Sequence, residues 1–143
     1  METFDYVVVA VGHFSVPNNP KFTNEEKFTG KNIHAHDYRD SRLYKGKRVL
    51  LVGGSYSAED IALQCWKFGA EYAHITHKNQ NRMGFKWPEG IVEKDTFLKD
   101  FDGNKVMFED ESSEEYDYII KCTGINHTVC KFCVACKLCI AKC

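Results

Sequence analysis

The chain of 143 residues carries almost no net charge, because 19 Lys and Arg residues face 20 Asp and Glu residues, which leaves -1 at pH 7. This balance gives no electrostatic reason to expect binding to nucleic acid or to an anionic membrane surface. Long apolar runs are also missing: the longest, residues 7–11, is far below the roughly 20 residues of a membrane-spanning helix. No basic leader-like segment opens the chain. We therefore expect a cytoplasmic protein.

Cysteine is scarce in most of the chain and crowded at its end. Cys65 and Cys122 lie in the predicted globular part, and all other cysteines follow Asn126, which is not the spread of a secreted disulfide framework. Four of them have the spacing of a ferredoxin cluster motif: Cys133, Cys136, Cys139 and Cys143. In the bacterial form of this motif a proline follows the last cysteine, and the sequence given ends at Cys143. Iron–sulfur ligation and zinc or thiol chemistry stay open, but we favour a tail, residues 127–143, without a fold or a metal site.

The most informative segment is a strand, a turn of small residues and a helix around residue 53. Residues 47–52 are typical of a buried strand, and apolar spacing predicts a helix over residues 57–68. In dinucleotide-binding folds such a turn brings the backbone close to a pyrophosphate, which faces the positive end of the helix. Gly53, Ser55 and Ala58 fill the three fingerprint positions, the third of which accepts alanine. The segment predicts a nucleotide site, and a plain tight connection is the alternative.

The end of the second predicted strand, residues 72–76, indicates which nucleotide would bind. NAD-binding proteins place an acidic residue there to hold the ribose 2′-hydroxyl group. Here the strand leads into His77 and Lys78, with Arg82 and Lys86 close behind. A cationic cluster suits a 2′-phosphate, so NADPH is favoured over NADH. The alternative for each of these side chains is a solvated basic loop.

The remaining pattern predicts an α/β fold that combines a Rossmann-like parallel sheet with a β-hairpin addition. Residues 96–101 and 105–108 are alternating or apolar segments separated by an Asp-Gly turn, which is typical of a hairpin. A short strand is predicted at residues 33–35, and a polar turn or a short helix at residues 37–44. Loops are predicted at residues 18–31 and 79–90, which are rich in Asn, charge or Pro.

The predicted helix has one apolar face that should pack on the sheet. That face contains Ile61, Ala62, Cys65 and Phe68 at helical spacing, and Gly69 ends the helix.

Two further predicted strands resemble each other and enclose the nucleotide unit. Residues 4–12 and 116–124 both begin with an aromatic residue, Asp and Tyr, continue through apolar residues and end at Gly. Such strands are typical of a chain that leaves one domain and returns to it. The nucleotide unit between them is therefore predicted to be an insertion in a larger parent domain.

With these elements in place, the sequence resembles the flavin-containing monooxygenases. Their signature, FxGxxxHxxxY, is filled by Phe28, Gly30, His34 and Tyr38, just before the nucleotide loop. Segments 54–60 and 83–89 look most like the trimethylamine monooxygenase branch of that family. The resemblance covers about residues 4–126, most of the chain. We favour packing roles over substrate contact for the four signature residues.

The resemblance implies how the chain is divided. The family has an FAD-binding domain into which an NADPH-binding domain is inserted, and this sequence has one glycine loop of that kind. Residues 1–30 would then be a remnant strand and linker of the FAD domain. Residues 31–115 would be the NADPH-binding Rossmann-like domain, and residues 116–126 the strand that returns to the FAD domain. The chain would be a fragment of such an enzyme, inactive alone.

The resemblance also implies the chemistry and the cofactor-binding residues. In the family, NADPH reduces FAD, and the reduced flavin uses O2 to oxygenate a small amine or sulfide. No catalytic residue is assigned in this chain, and a homodimer of the full-length protein is compatible with the resemblance. A Baeyer–Villiger-type flavin monooxygenase and a non-catalytic NADP-binding module are the alternatives. The residues expected to bind cofactor are Gly53, Gly54, Ser55, Tyr56, Ser57, Ala58, Glu59, Lys78, Arg82, Thr123 and Gly124.

Overall fold

The computed structural model describes residues 16–78 and 86–126 of a chain that divides into two compact units. The larger unit is Asn18–Gly124, and the other combines Met1–Pro17 with Ile125–Cys143. In the described part of the second unit, Pro17 and Ile125 form an antiparallel bridge. The strand predicted over residues 4–12 and the cysteine-rich tail lie outside the described residues.

A five-stranded parallel sheet forms the centre of the larger unit. Its strands are β1 (Lys31–His34), β2 (Arg48–Val52), β3 (Tyr72–Thr76), β4 (Ile91–Lys94) and β8 (Tyr118–Lys121). They lie in the order β1-β8-β2-β3-β4, and every neighbouring pair is parallel. The chain crosses from β2 to β3 through helix α1 (Tyr56–Lys67). The predicted α/β fold with a Rossmann-like crossover is confirmed.

A second, antiparallel sheet packs on the parallel one. It consists of β5 (Leu98–Asp102), β6 (Lys105–Phe108) and β7 (Ser113–Glu115) in that order. Strands β5 and β6 form the predicted hairpin, and the Asp-Gly turn between them is at the predicted position. Two strands were not predicted. Strand β7 has no apolar residue, and β4 is four residues long at an edge of the parallel sheet, so neither leaves a strong pattern.

Strand β2 shows how the two layers share the parallel sheet. Val49 and Leu51 contribute to the core beneath α1, whereas Leu50 and Val52 contribute to the core beneath the antiparallel sheet. All four side chains are completely buried. A strand covered on both faces needs apolar residues at every position, which explains its continuous hydrophobic run.

Helix α1 packs on one face of the sheet through Ile61, Ala62 and Cys65, as its apolar spacing predicted. Its end is closed by two hydrogen bonds, from the Gly69 N–H to the Trp66 carbonyl and from the Ala70 N–H to the Cys65 carbonyl. Phe68 is the C-cap, outside the helical conformation, and stays 42% exposed. The prediction that Phe68 packs on the sheet was therefore wrong.

Three short 3-10 helices complete the described elements: Glu25–Lys27, Ala35–Asp37 and Ser41–Tyr44. The last of these lies within residues 37–44, where a polar turn or a short helix was predicted, and Ala35–Asp37 overlaps that range at Asp37. Among residues 16–78 and 86–126, no helix has the length and apolar composition needed to cross a membrane.

A buried histidine lies between the two sheets. His74 on β3 is completely buried, and its Nδ1 shares a hydrogen bond with the Tyr116 hydroxyl, which donates to Glu114 at 3.3 Å. In the described part of the chain, His74 Nε2 is buried without a hydrogen-bond partner. Burial, with the positive charge of Lys94 nearby, lowers the pKa of His74 to about 4. The imidazole is therefore neutral at physiological pH.

We expect His74 to make the fold sensitive to acid. The folded pKa lies below the value of about 6.5 in the unfolded chain, so the unfolded chain binds the proton more readily. Stability contributed by the neutral ring is present above pH 6.5 and is lost as the pH falls toward 4. His74→Gln should remove about 2–3 kcal/mol of the loss between pH 7 and pH 4.5, measured by urea unfolding at both pH values. Equal losses in both proteins would contradict this.

Candidate nucleotide-binding site

The carboxyl ends of the five parallel strands meet at one edge of the sheet, where α/β folds bind their ligands. Polar side chains are buried at or just after the ends of four of these strands, although polar groups are usually exposed. These buried residues are His34 at the end of β1, Thr76 at the end of β3 with His77 after it, Thr96 after β4 and Lys121 at the end of β8. This edge of the sheet is therefore lined by buried polar groups. The predicted glycine loop lies at the same edge.

Gly53 turns the chain directly against β8. Its φ is +129°, a backbone conformation that side chains disfavour, and its N–H donates to the Thr76 carbonyl at 2.9 Å. A Cβ atom at this position would overlap the Cys122 carbonyl group, with 2.8 Å to the carbonyl carbon. The first position of the fingerprint is therefore a glycine because the fold leaves no space for a side chain.

The residues after Gly53 leave the start of α1 accessible. Ser55, Tyr56 and Ser57 are exposed, Tyr56 to 83%, and Gly54 is half-buried. Ser55 is the N-cap, yet its side chain makes no capping hydrogen bond; its carbonyl accepts the N–H of Ala58 at 2.8 Å. The positive end of α1 and its first N–H groups therefore face the same accessible surface, an arrangement that suits a phosphate.

Ala58 holds α1 close to the sheet. Its methyl group is completely buried in the core beneath the helix, whereas the next residue, Glu59, is half-buried. A larger side chain at position 58 would push the helix away from the sheet. The third fingerprint position is small for a packing reason, as the first one is.

Lys78 follows β3 at the same edge, as predicted, but it has an acidic neighbour. Its side chain is 58% exposed, and Nζ lies 2.5 Å from Oε1 of Glu109. The ammonium group also lies 5.0 Å from the centre of the Phe97 ring. Arg82, the second predicted 2′-phosphate ligand, lies outside the described residues, and Lys86 is exposed. Sequence reasoning missed Glu109 because it follows β6, on the other sheet.

His77 ties the ends of β3 and β4 together. It is buried, its Nε2 lies 2.8 Å from Glu93 Oε1, and its Nδ1 lies 3.9 Å from Asp95. The indole N–H of Trp87 donates to the other Glu93 oxygen at 2.7 Å. This part of the predicted basic cluster is therefore balanced by carboxylates rather than presented as free positive charge.

Thr123 and Gly124 join the end of β8 to the start of the larger unit. The Thr123 hydroxyl donates to the Asn18 carbonyl at 2.5 Å, and the Asn18 amide donates to the Thr123 carbonyl at 3.1 Å. The Asn18 N–H donates to the Gly124 carbonyl at 3.0 Å. Both residues thus have structural partners, and their role in cofactor binding stays a prediction.

Lys121, which the sequence analysis did not single out, is buried at the end of β8. Its ammonium group pairs with Glu25 and donates to the Pro20 carbonyl at 2.8 Å. Burial alone would raise the pKa of Glu25, but hydrogen bonds from Lys121 and the Phe22 N–H outweigh it, so the pKa is lowered. The pair fixes the loop before β1 against the sheet edge.

The four signature residues have packing contacts within the larger unit. The Phe28 ring lies edge-on to Phe101, and a Cβ at Gly30 would overlap the Phe28 ring and a backbone carbonyl. His34 is buried, which lowers its pKa, and it accepts the His36 N–H at 3.0 Å. Tyr38 hydrogen-bonds the Ser41 hydroxyl and stacks on a neighbouring tyrosine ring.

The buried thiols are not poised for chemistry. Burial raises the pKa of Cys65 to about 12, and burial together with Cys65 raises the pKa of Cys122 to about 12. Both therefore stay protonated and unreactive at physiological pH. Within the part of the chain that the structure describes, no three His, Cys, Asp or Glu side chains are grouped to hold a metal ion.

Comparison with known proteins identifies the family. A family model described as pyridine nucleotide-disulphide oxidoreductase matches residues 3–96. A trimethylamine monooxygenase from Pelagibacter sp. (strain HTCC7211) is 47% identical over 126 residues, and a senecionine N-oxygenase from Tyria jacobaeae is 35% identical over 131 residues. Each match covers 88% of this chain and 28% of the relative, so the chain spans little more than a quarter of the length of these relatives.

Solved structures agree with these relatives. The crystal structure of Tmm from Pelagibacter sp. strain HTCC7211 matches 87% of this chain with a TM-score of 0.76 and 46% identity. An S-allyl-L-cysteine S-oxygenase from Allium sativum matches 80% of this chain with a TM-score of 0.69 and 27% identity. The chain covers 28% and 26% of those two structures. The chain therefore belongs to the pyridine nucleotide-disulphide oxidoreductase family, and its predicted membership of the flavin-containing monooxygenases is confirmed.

The geometry of Gly53 predicts a large effect on stability. Gly53→Ala should destabilise the fold by more than about 2 kcal/mol, because the new methyl group overlaps the Cys122 carbonyl at a φ of +129°. Gly103→Ala is the matched control: its φ is +60°, and no atom lies within 4 Å of the added Cβ. That variant should cost only about 1 kcal/mol. Equal costs in urea unfolding would show that the β8 contact is unimportant.

Proposed function

We propose that this chain is the NADPH-binding portion of a flavin-dependent monooxygenase that uses NADPH and O2 to oxygenate soft nucleophiles. The substrates would be small amines, such as trimethylamine, or sulfides. The observation that carries the proposal is the accessible turn from Gly53 into α1, in a chain 47% identical to a trimethylamine monooxygenase over 126 residues. The names of the N-oxygenase and S-oxygenase relatives support the same class of substrate.

The residues at the sheet edge fit the adenosine diphosphate part of NADPH. The loop and first turn, Gly53 to Glu59, offer small residues, accessible backbone N–H groups and the positive end of α1 to the pyrophosphate and its ribose. Lys78, and Arg82 beyond it, would hold the 2′-phosphate. Thr123 and Gly124, at the end of β8, would border the cofactor on the other side of Gly53.

The FAD site would lie largely on other segments of the full-length protein. The described residues contain one strand–loop–helix unit of the dinucleotide type, which we assign to NADPH. We assign no described residue to the FAD pyrophosphate. Residues 1–30 and 116–126 would connect the NADPH-binding domain, residues 31–115, to the FAD domain. When bound, NADPH supplies the hydride that reduces the flavin; the residues of this chain bind and orient the nucleotide.

The setting that we propose follows from the same assignment. The partners would be a small-molecule amine or sulfide and O2, with no nucleic acid and no membrane, in the cytoplasm. The full-length protein could form a homodimer. The cysteine-rich tail, residues 127–143, has no role in this proposal.

NADPH selectivity tests the nucleotide site. The purified chain should bind NADPH more tightly than NADH, because Lys78 can pair with the 2′-phosphate. Lys78→Glu should weaken NADPH binding about tenfold or more and leave NADH binding nearly unchanged, measured by titration calorimetry. Lys105→Glu is the control. This exposed lysine on β6 lies opposite Glu115 on β7 in the strand register, and the Glu115 carbonyl accepts the Arg48 side chain at the amino end of β2, the opposite edge of the sheet. Equal affinity of the chain for both nucleotides would refute the assignment.

The missing flavin site gives a second test. After incubation with FAD and NADPH and then desalting, the chain should retain no flavin absorbance and should not oxidise trimethylamine. NADPH binding by the same sample shows that the domain is folded. Stoichiometric flavin that survives desalting, together with turnover, would show that the chain forms a complete enzyme site and would contradict the proposal.

A further inference from the structure

The turn after β6 is anchored to the end of β3 through Thr96. The Thr76 hydroxyl donates to the Thr96 carbonyl at 2.5 Å, and the Asp110 N–H donates to the Thr96 hydroxyl at 3.4 Å. The Glu109 N–H donates to the Phe97 carbonyl at 2.8 Å. Both threonine side chains are buried. Because Lys78 follows Thr76 by two residues, this chain of contacts fixes Glu109 beside Lys78.

The turn itself is held in one conformation. The Asp110 carboxylate accepts the N–H of Ser112 at 3.1 Å and its hydroxyl at 2.6 Å. Glu111 has a φ of +65°, and its N–H donates to the Phe108 carbonyl at 3.1 Å. Glu109 therefore lies at the start of a turn whose conformation is fixed by hydrogen bonds.

We propose that Glu109 is a specificity-determining residue of the nucleotide site, because its carboxylate competes with the 2′-phosphate for the ammonium group of Lys78. Lys78 Nζ lies 2.5 Å from Glu109 Oε1, so the ammonium group that would bind the phosphate is already paired with a carboxylate. The inference rests on the proposed function, since it assumes that Lys78 faces the 2′-phosphate.

The two nucleotides make different demands on this pair. NADPH must separate Glu109 from Lys78 and place a second negative charge beside the carboxylate, whereas NADH has a neutral 2′-hydroxyl group and leaves the pair intact. Glu109 therefore weakens NADPH binding selectively. Since both side chains are about half exposed, solvent screening keeps the expected effect modest, about two- to fivefold in the dissociation constant.

The test is to measure the dissociation constants of NADPH and NADH for the chain and its Glu109→Gln variant by calorimetry. Glutamine keeps the shape of the side chain and removes its charge. We expect Glu109→Gln to bind NADPH two- to fivefold more tightly and NADH with unchanged affinity. The matched control is Glu111→Gln, which removes the same charge two residues further along the turn and should have little effect.

A double variant separates competition for Lys78 from general repulsion. In a Lys78→Gln background, Glu109→Gln should tighten NADPH binding no more than Glu111→Gln does, because the contested ammonium group is gone. Thermal unfolding of every variant checks that the turn is intact.

The possible results lead to different conclusions. Unchanged NADPH affinity in Glu109→Gln, or an equal gain in Glu111→Gln, would overturn the inference and leave the proposed function standing. Weaker NADH binding in Glu109→Gln would also overturn it, because Glu109 would then bind the ribose hydroxyl. If the unaltered chain binds no NADPH, the proposed function fails and the inference fails with it.

Discussion

The contact between Gly53 and Cys122 is the constraint on which the rest of the site depends. Strands β2 and β8 lie side by side, and the chain leaves β2 so close to the Cys122 carbonyl that no side chain fits at position 53. That approach sets where α1 begins, and Ala58 then keeps the helix against the sheet. The positive end of the helix faces the accessible edge as a result. The geometry that we propose for phosphate binding is thus a consequence of close packing between two strands and a helix, and it requires no charged side chain in the loop.

Charge at the sheet edge is arranged in pairs. Lys121 is paired with Glu25 in the interior, where an unpaired ammonium group would be costly. Lys78 is paired with Glu109 at the surface, where an ion pair contributes little and opens easily. The first pair is suited to hold a loop in place, and the second is suited to exchange its carboxylate for a phosphate. Burial, and not the type of residue, separates these two roles.

The sequence predicted those parts of the fold that repeat locally. The run of apolar residues in β2 and the helical spacing of Ile61 and Cys65 are properties of neighbouring positions, so the crossover could be found from them. Glu109 could not be found in this way, because its partner lies 31 residues away and only the packing of one sheet on the other brings them together. Strand β7 was not predicted for a related reason. Its polar residues form a strand only because they pair with the edge of β6.

The ends of the larger unit lie side by side, and this bears on how such a unit sits in a longer protein. Asn18 forms three hydrogen bonds with Thr123 and Gly124, and Lys121 reaches back to the Pro20 carbonyl. A unit whose first and last residues are joined in this way can be inserted into a host domain without separating the strands of that host. The same hydrogen bonds tie the entry and the exit of the unit to the end of β8, next to Gly53. These contacts would hold the two ends of the unit together beside the loop that we propose to bind the nucleotide.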